Sequence, residues 1–175
     1  MKATAPLRMI LPEELKAAFS KCAVDALATF PKTAGQCVAL CAYISARLTE
    51  DSIANRVALG SLSCNGVKTF QYKKPISVAP SGSSVWDGHA WIEFPDGVIG
   101  EPSLFRTAKA FPKHSSLRQN LEAHGLIDRG AILISASDAL KDYGLKYRQR
   151  TYLKEAAFVP LIHGLMAINE LINHE

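Results

Sequence analysis

Two short stretches of this chain carry side chains whose types and spacing suit nucleophilic catalysis. In the first, Cys37 follows Gly35 and opens a run of apolar residues with helical spacing. The second, GHAWIEFPDGVIGEPS over residues 88–103, has His89 near one end and Glu101 near the other. A thiolate is the reactive form of cysteine, and a thiol nucleophile needs a base and a group that orients this base. These residues therefore predict a Cys–His–Glu site, provided that the fold brings them together.

The segment around Cys37 predicts a helix over residues 36–48. Its apolar residues run almost all the way round, so we expect it to be the buried central helix of the domain. Unpaired N–H groups and the dipole at a helix N-terminus favour an anion, which would stabilise a thiolate at Cys37. The same N–H groups could stabilise a developing oxyanion. The alternative is that Cys37 is a small buried hydrophobic residue, as cysteine often is.

The stretch with His89 and Glu101 predicts a β-hairpin, and the length of its loop decides whether the two side chains meet. A loop of residues 95–97 with Gly97 in the left-handed conformation is a common hairpin type. It would place Trp91 opposite Glu101 and make Glu101 the diagonal neighbour of His89. A shorter loop would move Glu101 to the opposite face, where it would be only a carboxylate at the end of a strand. The catalytic interpretation therefore requires the longer loop.

The rest of the pattern predicts an α+β fold, because a helical region precedes a run of strands. A helix is expected to begin at Pro12, with Cys22 on its apolar stripe. Further expected strands cover 56–62, 67–78, 131–134 and 146–153, and further expected helices cover 116–124, 138–143 and 155–172. Neither a repeat nor a linker is evident, so residues 1–175 are expected to form a single domain.

Taken in order, four of these segments resemble the transglutaminase-like superfamily of papain-type thiol enzymes. The segments are Gly35-Gln36-Cys37 at a helix start, RVALG at 56–60, HAWIE at 89–93 and GEPS at 100–103. The resemblance spans residues 35–103 and implies a papain-like core. In such a core, a central helix carrying the cysteine packs on an antiparallel sheet that carries the histidine and the acid. Residues 104–175 would then be an extension packed on this core.

The resemblance implies that Cys37 is the nucleophile, His89 the base and Glu101 the acid, where the family usually has Asp. Asp87 and Glu93 are alternative candidates for the acid. The N–H of Cys37 is one candidate oxyanion donor. Gln36 is a candidate for the second donor, and Trp91 is a candidate for contact with the oxyanion or the substrate.

The predicted triad defines a type of reaction rather than one substrate. The thiolate would attack a carbonyl carbon, release an amine or ammonia and leave an acyl-thioester. Water as the acceptor would make the protein a peptidase, amidase or deamidase acting on a peptide or protein, which is the function that we favour. An amine as the acceptor would make it a transglutaminase or acyltransferase, as in some bacterial effectors. A binding module without catalysis is a third alternative. No cofactor is expected.

Composition and charge narrow the classes of partner. The chain has 175 residues, is 48% hydrophobic and 21% charged, and carries a net charge of +4, which is typical of a globular protein. The basic residues are scattered, so nucleic acid is not an expected partner. Lys146, Arg148 and Arg150 alternate and would make one face of a strand basic, which we interpret as a solvated face.

The termini and the cysteines bear on location. Residues 1–8 lack an apolar segment, which predicts that there is no secretory signal and favours a cytoplasmic protein with reduced cysteines. Residues 156–172 are too short and too polar to predict a membrane span, although this C-terminal helix could mediate self-association. Cys37 and Cys41 are four residues apart without a second pair of ligands, so a zinc site is not expected.

Overall fold

The structure, a computed structural model, describes residues 12–173, so the prediction about a secretory signal lies outside the described residues. The described part combines α-helices with one antiparallel sheet, which confirms the α+β class. The helices are α1 (Pro12–Thr29), α2 (Cys37–Glu50), α3 (Leu104–Ala110), α4 (Ser116–Ala123), α5 (Ala136–Tyr143) and α6 (Phe158–Asn173). The strands are β1 (Arg56–Cys64), β2 (Val67–Phe70), β3 (His89–Glu93), β4 (Val98–Glu101), β5 (Ile132–Ser135) and β6 (Leu145–Tyr152).

β1 is the strand on which the sheet is organised. Its first part pairs with β3 and its last residues pair with β2, while β6 runs along residues 58–64 of β1. Because a strand has only two edges, β2 and β3 share one edge of β1 and β6 occupies the other. β4 pairs with β3, and β5 pairs with β4. Two strands that follow residue 103, β5 and β6, are thus part of the same sheet as the predicted core.

Helices cover both faces of this sheet. On one face, residues of α1, α2 and α6 pack with Val57, Leu59 and Ala90. On the other face, residues of α3, α4 and α5 pack with Leu62 and Cys64. The helix α2 is buried on most sides, as its apolar sequence predicts, because it lies between the sheet and the helices α1 and α6.

The hairpin has the longer of the two possible loops. The N–H of Phe94 donates to the carbonyl oxygen of Val98 at 2.9 Å, and Glu93 is paired with Ile99. The loop is one turn of 3₁₀ helix over Pro95–Gly97, and Gly97 has the expected positive φ of 71°. Asp96 also takes a positive φ, of 63°, which the sequence analysis did not anticipate. The predicted register is confirmed.

Three elements differ from the expectations. The strand expected over 67–78 ends at Phe70, because Tyr72 adopts a positive φ of 56° and the N–H of Gln71 donates to the carbonyl oxygen of Asp87. The short helix α3 was not expected. The final helix begins with a 3₁₀ turn at Glu155–Ala157, and its α-helical part starts at Phe158.

The described helices bear on two further predictions. None of the helices within residues 12–173 is long and apolar enough to cross a membrane. In α6, Leu161 and Leu165 are buried in the core, whereas Val159 and Leu171 are exposed. Self-association through α6 stays a prediction.

Candidate active site

His89 and Glu101 form a buried pair, as the register of the hairpin predicts. His89 is the first residue of β3 and Glu101 is the last residue of β4. Nε2 of His89 lies 2.7 Å from Oε2 of Glu101, and both side chains are completely buried. The carboxylate acceptor implies that Nε2 carries a proton and donates it. This contact fixes the tautomer and the orientation of the imidazole.

Glu101 receives hydrogen bonds at both of its oxygens. Oε1 accepts from the N–H groups of Ser103 and Leu104, each at 3.1 Å, and from Oγ of Ser103 at 3.4 Å. Oε2 accepts from His89 and from the hydroxyl of Tyr147 at 3.2 Å. A buried carboxylate is costly unless it is paired and hydrogen-bonded. Glu101 meets both conditions, and these contacts hold its carboxylate in one position.

The second imidazole nitrogen is available for the thiol. Within residues 12–173, Nδ1 of His89 is buried and has no hydrogen-bond partner. It is the one buried side-chain nitrogen or oxygen of these residues that lacks a partner. Cys37 is the first residue of α2, is 8% exposed and lies close enough to His89 to affect its protonation. Because Nε2 is taken by Glu101, Nδ1 is the nitrogen that can exchange a proton with the thiol.

The surroundings of His89 favour its charged form. Burial, the largest single influence, disfavours the imidazolium, but the charge of Glu101 and the neighbouring Cys37 side chain outweigh it and raise the pKa of His89 to about 10. The imidazolium therefore persists through neutral pH. An imidazolium beside a cysteine stabilises the thiolate, which is the nucleophilic form.

Aromatic rings enclose the imidazole. Phe70 stacks on it with 4.7 Å between ring centroids, and Trp91 lies 6.2 Å away. Trp91 is completely buried, and its indole N–H donates to Oε1 of Glu93 at 3.2 Å. Trp91, which the sequence analysis proposed as a contact for the oxyanion or the substrate, thus forms part of the wall around the imidazole. Its N–H already has an acceptor in Glu93. Gly60 is opposite His89 in β1, and a Cβ there would lie 2.8 Å from the Trp91 ring.

The start of α2 offers N–H groups toward a ligand at Cys37. The side chain of Gln36 makes no capping hydrogen bond, and its backbone N–H is taken by the carbonyl oxygen of Thr33 at 3.0 Å. The first N–H groups of a helix have no partner inside the helix. The N–H of Cys37 therefore stays a candidate oxyanion donor, and Gln36 could contribute only through its side chain.

The helix α3 anchors the loop that leads into Cys37. The guanidinium of Arg106 donates to the carbonyl oxygens of Leu27 and Phe30 at 2.9 and 2.7 Å, and to Oγ1 of Thr33 at 3.1 Å. In the same loop, the N–H of Gly35 donates to Oγ1 of Thr107 at 3.3 Å. Since α3 begins directly after the strand that ends at Glu101, one short helix links the position of Glu101 to that of Cys37.

The other cysteines and acids lie in different environments. Burial is the main reason why the pKa values of the Cys22, Cys41 and Cys64 thiols are raised, and all four cysteines are free. Asp87 holds the loop after β2 by accepting from the N–H of Lys73 at 3.0 Å. The alternative acids, Asp87 and Glu93, thus bond elsewhere. Within residues 12–173, no group of three or more His, Cys, Asp or Glu side chains could hold a metal ion.

The sequence analysis missed four residues of this site: Phe70, Arg106, Thr107 and Tyr147. Tyr147 alternates with Lys146 and Arg148 in β6, and this alternation already places it on the face opposite the basic residues. That signal could have identified Tyr147 as inward-facing. It could not have identified its partner, because Glu101 is 46 residues away in the chain.

Comparisons of the chain with protein-family models, with curated proteins and with solved structures found no match.

Proposed function

We propose that this protein is a thiol hydrolase that cleaves a peptide or amide bond through an acyl-thioester on Cys37. One observation carries the proposal. The buried imidazole of His89 is held at Nε2 by Glu101, its Nδ1 has no partner within residues 12–173, and Cys37 lies close enough to the ring to raise its pKa. A nucleophile, a base and a group that orients the base are the parts that such a reaction needs.

In this proposal, Cys37 reacts as a thiolate beside protonated His89. The sulfur attacks the carbonyl carbon, and the carbonyl oxygen becomes an oxyanion that the N–H of Cys37 stabilises. When the C–N bond breaks, Nδ1 of His89 gives its proton to the departing amine and leaves an acyl-thioester. Neutral His89 then takes a proton from water, which attacks the thioester. The products are a carboxylic acid and the free enzyme.

The same arrangement supports a papain-like or transglutaminase-like core as the finer description of the fold. The helix carrying Cys37 packs on a sheet in which His89 and Glu101 belong to neighbouring antiparallel strands. In this assignment Glu101 replaces the usual Asp, and its longer side chain is accommodated by hydrogen bonds to the first residues of α3. A peptide or protein substrate and a cytoplasmic location stay predictions.

Alkylation by iodoacetamide tests the proposed nucleophile. The rate at each cysteine is measured across pH by mass spectrometry, in the native protein and in His89→Ala. We expect Cys37 to react fast below neutral pH and to slow in His89→Ala, because the imidazolium no longer stabilises the thiolate. Cys22, Cys41 and Cys64 serve as internal controls, since their raised pKa values keep them protonated. A Cys37 that reacts no faster than these three would contradict the proposal.

The acceptor is tested separately. The native protein is incubated with activated esters and peptide amides, with and without an added primary amine, and Cys37→Ala is the control. A hydrolase releases the acid without the amine. Product that forms only when the amine is present would identify acyl transfer instead.

A further inference from the structure

Tyr147 reaches the site from β6, a strand that the sequence analysis associated only with basic charge. Its hydroxyl donates to Oε2 of Glu101 at 3.2 Å, and the same oxygen accepts the 2.7 Å hydrogen bond from Nε2 of His89. The other oxygen, Oε1, is held by the N–H groups of Ser103 and Leu104. Tyr147 and His89 therefore share one oxygen of a carboxylate that the backbone anchors through the other.

We propose that Tyr147 is a positioning residue: by donating to Oε2, it holds Glu101 as an oriented carboxylate against His89 and so sets the reactivity of Cys37. The inference rests on the proposed function and adds a group from β6 to it. Tyr147 acts through Glu101, the group that its hydroxyl contacts.

Packing fixes the ring of Tyr147 independently of its hydroxyl. The ring meets Trp91 edge to face at 5.1 Å between centroids and lies 6.4 Å from the imidazole of His89. A phenylalanine ring can make the same contacts, so Tyr147→Phe removes the hydrogen bond and little else. Burial and then the charge of Glu101 raise the pKa of Tyr147 well above its ordinary value, so the hydroxyl stays a donor across the working pH range.

The titratable groups that interact with Glu101 come from three elements. They are His89 on β3, Cys41 on α2 and Tyr147 on β6. Loss of the Tyr147 donor leaves Oε2 of Glu101 free to turn away from Nε2 of His89. A misaligned carboxylate supports the imidazolium less well, so Cys37 should react more slowly in the variant near and below neutral pH, where the thiolate depends on the imidazolium.

Tyr147→Phe is compared with Tyr152→Phe. Tyr152 lies on the same strand and donates to Oε2 of Glu93 at 2.8 Å, so it is a matched tyrosine–carboxylate pair away from His89. Near pH 6, we expect Tyr147→Phe to slow the alkylation of Cys37 about five-fold, which is the scale of one hydrogen bond. At alkaline pH, the difference should shrink. Native rates over the whole range in Tyr147→Phe, or an equal loss in Tyr152→Phe, would overturn the proposal.

Proton NMR separates this inference from the proposed function. We expect the buried Nε2 proton of His89 to give a low-field resonance that moves in Tyr147→Phe and stays in Tyr152→Phe. An unreactive Cys37 in the native protein would contradict the proposed function. A His89 Nε2 proton resonance that does not move in Tyr147→Phe would contradict the positioning role of Tyr147. If Tyr147→Phe did not fold, the native protein should still show a nuclear Overhauser contact between the Tyr147 hydroxyl proton and that Nε2 proton, and absence of this contact would overturn the proposal.

Discussion

At the scale of single residues, the imidazole of His89 binds Glu101 through one nitrogen and has its other nitrogen available for the thiol of Cys37. His89 donates a hydrogen bond from Nε2 to the carboxylate of Glu101 and leaves Nδ1 for Cys37, which must lose a proton to react. The raised pKa of His89 depends mainly on the charge of Glu101, because burial alone would lower it. The charge of Glu101, more than its shape, should therefore control the thiol.

Replacement of Glu101 by glutamine tests this dependence. Glu101→Gln keeps the length of the side chain and an acceptor for the N–H groups of Ser103 and Leu104, but it removes the charge that stabilises the imidazolium. We expect alkylation of Cys37 near pH 6 to slow about ten-fold or more, since hydrogen bonds to charged groups are the strong ones. Glu93→Gln is the matched control and should react at the native rate. A Glu101→Gln variant as fast as the native protein would show that Cys37 does not depend on this pair.

The partnership of His89 and Glu101 could be predicted from the sequence because it depends on local rules. The loop over Pro95–Gly97 sets the register, and the register sets which side chains share a face. The bond from Tyr147 could not be predicted in this way. It depends on β6 pairing with β1, and no local feature of either strand specifies that choice.

At the scale of elements, α3 helps to fix the position of Cys37. The helix is only seven residues long, and its N-cap residue, Ser103, makes no side-chain capping bond. The carboxylate of Glu101 binds its first N–H groups instead, and Arg106 and Thr107 bind the loop before α2. A helix this short depends on tertiary contacts for its stability rather than on its own sequence. Periodicity alone therefore did not identify it. By contrast, the long apolar pattern of α2 identified its start to within one residue.

Arg106→Lys tests the link between α3 and Cys37. Lysine keeps the charge but cannot reach all three acceptors at Leu27, Phe30 and Thr33, so the loop should loosen. We expect the free energy of unfolding in urea to fall by about 1–2 kcal/mol and the alkylation of Cys37 to slow several-fold. Arg118→Lys is the control, because Arg118 binds the carbonyl oxygens of Lys109 and Phe111 away from the loop.

The two arginine variants are expected to differ in only one readout. Both should lose stability by a similar amount, since each removes hydrogen bonds to backbone carbonyls. Only Arg106→Lys should change the rate at Cys37. If the two variants slow Cys37 equally, the effect belongs to general loosening of the fold rather than to the anchored loop.

At the scale of the whole molecule, residues 104–173 contribute directly to the candidate site. Their strand β6 brings Tyr147 to Glu101, and their helices α3, α4 and α5 pack on the face of the sheet that carries Leu62 and Cys64. The family resemblance stops at residue 103, so the sequence could not assign these roles. His89 and Glu101 are fully buried, and burial is what makes their charges matter to stability.

The stability of the whole protein should therefore depend on pH through His89. Its pKa is raised in the folded state from 6.5 to about 10, so the folded protein binds this proton more tightly than the unfolded chain. The stabilisation is fully present below pH 6.5 and is lost as the pH rises from there toward about 10. We expect urea unfolding to show a stability advantage of the native protein over His89→Gln that shrinks between near pH 6 and near pH 9. His124→Gln, at an exposed histidine, is the control for the loss of an imidazole as such. An advantage of constant size would mean that His89 is not held in its charged form by Glu101.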